Sequence, residues 1–161
     1  MKSRKLAVFG LGTPLLAALL VPTLAASAHL SSAPVPQDPK LERAFLKVCS
    51  DCHEPERAFE AKRTRGDWES ILEKMIEKGA TGTDQDFELV LQYLLSQSGM
   101  VNVNQSTSED IALVLGLTAK EADAIVAFRK ANGNYKNFDA LTKVPDVDAS
   151  KLEKHKESVI F

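Results

Sequence analysis

The segment Lys47-Val-Cys-Ser-Asp-Cys-His-Glu-Pro55 holds both cysteines of the chain, Cys49 and Cys52, with His53 directly behind the second. Two thiols three positions apart beside an imidazole suit three chemistries: a redox dithiol, half of a zinc site, or covalent attachment of haem. A structural zinc site takes four ligands, commonly as two Cys/His pairs. The remaining histidines, His29 and His155, lie far from the motif in sequence, so ligand count disfavours zinc. A redox dithiol calls for a pair at a helix N-terminus after a strand, whereas here a helical run leads into Cys49. A disulfide closing so short a loop would add little stability. Haem attachment needs what is present: two thiols for the two vinyl groups and a neighbouring imidazole that reaches the iron. The expected cofactor is one covalent haem c held by Cys49 and Cys52, with His53 as the proximal iron ligand and no other metal.

The elements that must position this motif are helical. Leu41, Ala44, Phe45 and Val48 recur at helical spacing and deliver Cys49 at a helix end. A second helix follows Asp67 as N-cap, with Trp68, Ile71, Leu72, Met75 and Ile76 on one stripe and Gly79 as its stop. A third begins near Thr83, where Thr83 and Asp86 form a capping box, and ends by Gly99. No strand is expected. Residues 98–104 read as a boundary, after which short helices alternate with tight turns. Capping boxes are expected at Ser106/Glu109 and Thr118/Glu121, a stop at Gly133, and caps at Asn137 and Asp148. The segment 115–122 superimposes on 145–152, pairing Leu117 with Val147, Thr118 with Asp148 and Ala122 with Leu152. That is a weak internal repeat of helix, tight turn, helix.

The chain opens with Lys2, Arg4 and Lys5, an apolar run, and Ala26-Ser27-Ala28, the layout of a secretory signal over residues 1–28. Pro14 and Pro22 suit such a leader better than a spanning helix. Membrane contact is expected only if the leader is retained. Residues 29–38 form a Pro/Ser-rich spacer. Removing the three basic residues of the leader from the 20 Lys and Arg leaves 17 against 22 acidic residues, a charge of −5. An acidic exported protein has no general attraction to nucleic acid or anionic lipid. Expected localisation is periplasmic or secreted.

Residues 39–99 resemble the class I c-type cytochromes, with an N-terminal helix running into Cys-Ser-Asp-Cys-His and a C-terminal helix Phe-Glu-Leu-Val-Leu-Gln-Tyr-Leu-Leu. More narrowly, 63–80 is similar to the haem domains of quinohaemoprotein dehydrogenases. The resemblance implies iron held by the motif histidine and a methionine. Met75 is the expected distal ligand and Met100 the alternative. Arg63, Arg65 and Tyr93 are candidates for the haem propionates, and Trp68 for packing on the cofactor.

Residues 100–161 are similar to the helix-hairpin-helix module of the DNA-uptake protein ComEA, through Val-Asn-Val-Asn at 101–104, the helix around 124–129 and the step at 138–145. In that family a Gly-apolar-Gly turn offers bare backbone N–H groups to a DNA phosphate. Here Gly116 is kept, Thr118 replaces the second glycine, and Asp146 and Asp148 replace both in the second turn. Residues 101–161 carry eight basic and nine acidic residues, without the excess positive charge of a duplex binder. Gly116 and Thr118 remain weak nucleic-acid candidates, and Lys151, Lys154 and Lys156 read as a solvated face.

The expected fold is all-α: a small cytochrome c-like helical domain around haem, then a double helix-hairpin-helix domain. The expected function is electron transfer to a periplasmic redox protein or dehydrogenase, as a carrier rather than an enzyme. DNA binding with a structural haem, or haem-based ligand sensing, are the alternatives.

Overall fold

Asp38 accepts a hydrogen bond from the Lys40 N–H at 2.9 Å and starts helix α1, Pro39–Cys49. Pro39 suits the first position, where its missing N–H has no partner to lose. The computed structural model describes residues 38–161, so the leader and spacer lie outside the described residues. Helix α1 buries Ala44, Phe45 and Val48. A short 3-10 turn, Pro55–Glu60, follows the cysteine motif.

Helix α2, Arg65–Glu77, starts earlier than the sequence suggests. Thr64 is its cap, and Asp67 is the third helical residue. The Asp67 carboxylate accepts from the Thr64 backbone N–H at 3.1 Å and from its hydroxyl at 2.6 Å. Thr64 accepts from the Asp67 N–H in return, so the pair forms a reciprocal box. Lys78 is the last cap, and Gly79 follows at φ 101°, in the left-handed region expected after a helix end. Helix α3, Asp84–Ser98, has the expected Thr83/Asp86 box and stops at Gly99.

Helix α3 is the common support. The helices α1 and α2, the 3-10 turn and α4 (Ser108–Leu115) all pack on it, while α1 and α2 make little contact with each other. Gly99 is sterically required at the junction, because a Cβ there would run into the Leu95 carbonyl and the Val114 side chain.

Helix α4 is capped by Thr107, which accepts from the Asp110 N–H at 3.2 Å, and not by a Ser106/Glu109 box. Helices α5 (Ala119–Asn132), α6 (Phe138–Leu141) and α7 (Ala149–Lys154) follow, with the expected caps at Thr118, Asn137 and Asp148. Two short strands were not anticipated. Strand β1, Val101–Asn102, pairs in parallel with β2, Val159–Ile160, in the register Val101 to Val159. Such short strands have no period to read in a sequence.

The class is all-α, and the core is continuous across the expected boundary. Leu95, Val101, Ile111, Leu115, Ile125, Leu141 and Leu152 are almost wholly buried. Polar ties cross the same boundary. Arg65 donates through Nε and Nη2 to the Asp110 carboxylate at 2.7–3.0 Å, and Lys62 donates to the Ser158 hydroxyl at 3.0 Å. The described residues cluster as one compact unit.

Candidate functional site

Cys49 closes the last turn of α1, and Ser50 behind it is still helical. The chain then turns, so that Cys52 and His53 follow on exposed backbone. Both thiols are free, Cys49 partly covered and Cys52 exposed. Burial pushes the Cys49 thiol up to about 11, so it is protonated at neutral pH. A catalytic dithiol needs the opposite, a stabilised thiolate. The His53 Nδ1 lies 3.2 Å from the Glu54 carbonyl. A carbonyl can only accept, so Nδ1 is the donating nitrogen in this contact. That arrangement orients an imidazole for binding a metal through Nε2.

The first half leaves several apolar side chains in solvent. Leu46 is 44% exposed, Phe59 37% and Ile76 48%, although each belongs to an element carrying core residues. Phe45, Phe59 and Tyr93 form an aromatic cluster, with centroids 4.9 to 6.1 Å apart. Burial, together with the charge of Glu42, raises the Tyr93 hydroxyl above its usual value. Trp68 is 2% exposed, and its indole N–H is buried without a hydrogen-bond partner. The Arg63 guanidinium sits over the Trp68 ring, 5.3 Å from its centroid. Met75 is half-buried in the last turn of α2. Met100 is held elsewhere. Its N–H donates to the Arg63 carbonyl at 2.7 Å, and its side chain lines a junction groove of about 400 Å³ with Arg65 and Asp110.

At the two turns of the second half, Gly116 has φ 60° and Asp146 has φ 62°. The internal repeat is therefore present in the backbone, with aspartate standing where glycine would adopt this conformation without strain. Thr118 and Asp148 cap the helices that leave the turns. Glu121 joins the two turns. One of its carboxylate oxygens accepts from the Thr118 N–H at 2.7 Å, the Thr118 hydroxyl at 2.8 Å and the Lys151 ammonium at 2.8 Å. The other accepts from the Asp148 N–H at 3.2 Å. Burial alone would raise the Glu121 carboxyl, but the bonds from Lys151, Thr118 and Asp148 outweigh it and hold it at about 2.

Residues 96–160 match the family described as "Helix-hairpin-helix motif". The second half of the chain is thus similar to helix-hairpin-helix proteins. An uncharacterized protein of Haemophilus influenzae is 37% identical over 65 residues, which cover 40% of this chain and 58% of that protein. The ComE operon protein 1 of Bacillus subtilis is 32% identical over 63 residues, 39% of this chain and 31% of that protein. A zebrafish (Danio rerio) endonuclease/exonuclease/phosphatase family domain-containing protein 1 is 37% identical over 54 residues, 34% of this chain and 10% of that protein. The chain thus spans at most 58% of the length of these relatives. No solved structure matches.

In the helix-hairpin-helix half, Gly116 and Thr118 lie at the first turn, but Glu121 already takes the Thr118 N–H. Of the lysines, Lys151 is held by Glu121. Lys156 lies over the Phe138 ring and 3.8 Å from Glu153. In the first half, Trp68 and Arg63 come together, and Tyr93 joins the aromatic cluster. Arg65 is instead bound to Asp110 and Glu69. Asp110 escaped the sequence reading, and Glu121 was expected only as the box partner of Thr118, because Arg65 and Lys151 lie 30 or more positions away.

Proposed function

We propose that the protein is an exported mono-haem c-type cytochrome that carries electrons, with its helix-hairpin-helix half packed on as a rigid extension. The observation that carries this reading is the exposed Cys-Ser-Asp-Cys-His turn beside two helices, α1 and α2, that share α3 but barely touch. Leu46, Phe59 and Ile76 leave apolar surface for a flat hydrophobic cofactor to cover. The residues fit the group. Cys49 and Cys52 would hold its vinyl-derived carbons, and His53 would offer Nε2 to the iron. Met75, a soft thioether on the α2 stripe, would be the second candidate to hold the iron. Trp68 has a buried N–H that needs an acceptor, and Arg63 stands on its ring, so a haem propionate suits this pair. Arg65 is committed to Asp110, which weighs against its use there.

Bound haem supplies reversible one-electron chemistry. The chain's part would be to hold the iron through His53 and Met75 and to keep water off the apolar face. The test is a pyridine haemochrome spectrum and intact mass of protein matured in a periplasm. Expected are a c-type haemochrome and the mass of residues 29–161 plus one haem. A colourless, folded chain of apoprotein mass ends the reading.

A second reading is favoured by the likeness to the ComE operon protein 1 and by the family match. It makes the helix-hairpin-helix half a nucleic-acid module and any haem structural. Retardation of duplex DNA at low salt, lost on adding salt, would support it. Against it stand the Glu121 carboxylate on the turn N–H groups and the carboxylates of Asp146 and Asp148. Among the described residues no helix is long and apolar enough to cross a membrane.

A further inference from the structure

Helix α2 is fastened at one end. Trp68 and Leu72, in its first two turns, are its buried side chains, and none of residues 73–77 is buried. The chain leading into it is tied down residue by residue. The Lys62 ammonium donates to the Ser158 hydroxyl at 3.0 Å, the Arg63 N–H to the Ser98 carbonyl at 2.9 Å, and the Met100 N–H to the Arg63 carbonyl at 2.7 Å. At the first helical position, Arg65 donates to both oxygens of the Asp110 carboxylate on α4. Asp110 is 7% exposed, so this fork is anchored in the interior of the second half. Ser158 directly precedes β2 and is held in place by the pairing with β1. A forked arginine–carboxylate pair fixes direction as well as distance. Lys62 and Arg65 bond two different elements, so the base of α2 is held against rotation as well as sliding.

A rod held at its base magnifies small errors at its tip. Helices rise about 1.5 Å per residue, so Met75 stands about 15 Å along the axis from Arg65, and a tilt of about 5° at the base moves its sulfur by about 1.3 Å. A metal-binding donor has to be placed to within about 0.5 Å. We propose that the second half is a positioning frame for α2, in which Arg65 and Lys62, held by Asp110 and Ser158, set where the Met75 thioether stands. The frame rests on these bonds alone; that Met75 then holds iron rests on the haem reading.

Two measurements on the haem-loaded full chain test it. The variant Asp110→Asn keeps the size of the side chain and removes its charge. Amides of residues 66–77 should then exchange about tenfold faster, while those of α1 stay within about twofold of the parent. The weak sulfur-to-iron band of the ferric protein, absent from Met75→Leu, should fade at a lower temperature in Asp110→Asn, with the covalent haem retained by mass. Arg65→Lys, which keeps the charge and loses the fork, should fall between. Adding Lys62→Met to Asp110→Asn should deepen both effects. The control Glu121→Gln weakens the second half away from the junction, at Thr118 and Lys151, and should leave both readouts as they are. A control that loosens α2 as much as Asp110→Asn overturns the proposal, as does unchanged α2 exchange or an unchanged band in Asp110→Asn. So does a band lost in Met100→Leu and kept in Met75→Leu. Those outcomes leave the haem reading standing. A colourless chain in which Asp110→Asn still frees α2 ends the haem reading and keeps the frame.

Discussion

The two halves of the molecule solve the same packing problem to different degrees. In the helix-hairpin-helix half, Ile111, Leu115, Ala122, Ile125, Leu141 and Leu152 are fully buried. Its interior polar groups there are answered as well. Arg129 donates to the Val103 and Ser106 carbonyls at 2.7 Å, and the Tyr135 hydroxyl donates to the Ile125 carbonyl at 2.7 Å. The first half leaves Leu46, Phe59 and Ile76 in solvent and an indole N–H stranded. The contrast is that the second half answers its interior polar groups within the chain, whereas the first leaves apolar side chains and one buried donor unanswered. A buried donor without an acceptor costs roughly 1–3 kcal/mol, so the stranded Trp68 N–H is more economically read as awaiting a partner.

The most severe way to break this contrast is Cys49→Ala/Cys52→Ala. The expected result is loss of covalent haem by mass, with amide exchange in α1 and α2 accelerating far more than in α5. Uniform exchange in both halves would mean that the first half is complete without the cofactor.

The tie between the two turns of the second half ranks next by size. Glu121→Gln removes the charge that Lys151 and the two turn N–H groups share. The folded carboxyl lies below its ordinary value, so its stabilisation is present above about pH 4.5 and is lost as pH falls toward 2. A cost on the order of 2–3 kcal/mol at neutral pH is expected, shrinking in acid. Urea titrations of both proteins at pH 7 and pH 2.5 measure it, and a constant difference contradicts the assignment. Asp110→Ala leaves the partly exposed Arg65 guanidinium unpaired and should cost about 1–2 kcal/mol after allowance for solvent screening. A double-mutant cycle with Arg65→Ala gives the pair's own share.

The smallest effect sharpens the comparison most. Ile76→Ser should change apoprotein stability by no more than about 0.5 kcal/mol, as at any exposed position. In the haem-loaded protein it should cost about 1–2 kcal/mol, because the side chain then loses a buried contact. Equal effects in both forms would remove Ile76 from the cofactor's surroundings.

Much of this architecture was legible where the signal is local. The Thr83/Asp86 and Thr118/Glu121 boxes, the stops at Gly99 and Gly133, and the repeated turn all lie within a few residues of chain. The errors fell where a residue had two local roles to choose from or a distant partner. Asp67 is a good cap by type, and only Thr64 in front of it shows that it is the box partner. Thr107 displaced Ser106 because Asp110, at its box position, sends its carboxylate to Arg65, 45 residues back. Glu121 reads from sequence only as the box partner of Thr118, and its bonds to Lys151 and Asp148 appear when the second turn is brought beside it. At the candidate site, Cys49, Cys52 and His53 are grouped by their spacing in the sequence, and the structure places them at and just after the end of α1. The solitary Trp68 N–H was not legible, because an absent partner leaves no mark in a sequence.

The pairing of β1 with β2 has a consequence for the order of events. A ribosome delivers Cys49 and Cys52 long before Val159, yet Val103 waits for the Ile160 carbonyl and Lys62 for the Ser158 hydroxyl. The junction between the two halves therefore cannot close until the last residues of the chain are in place.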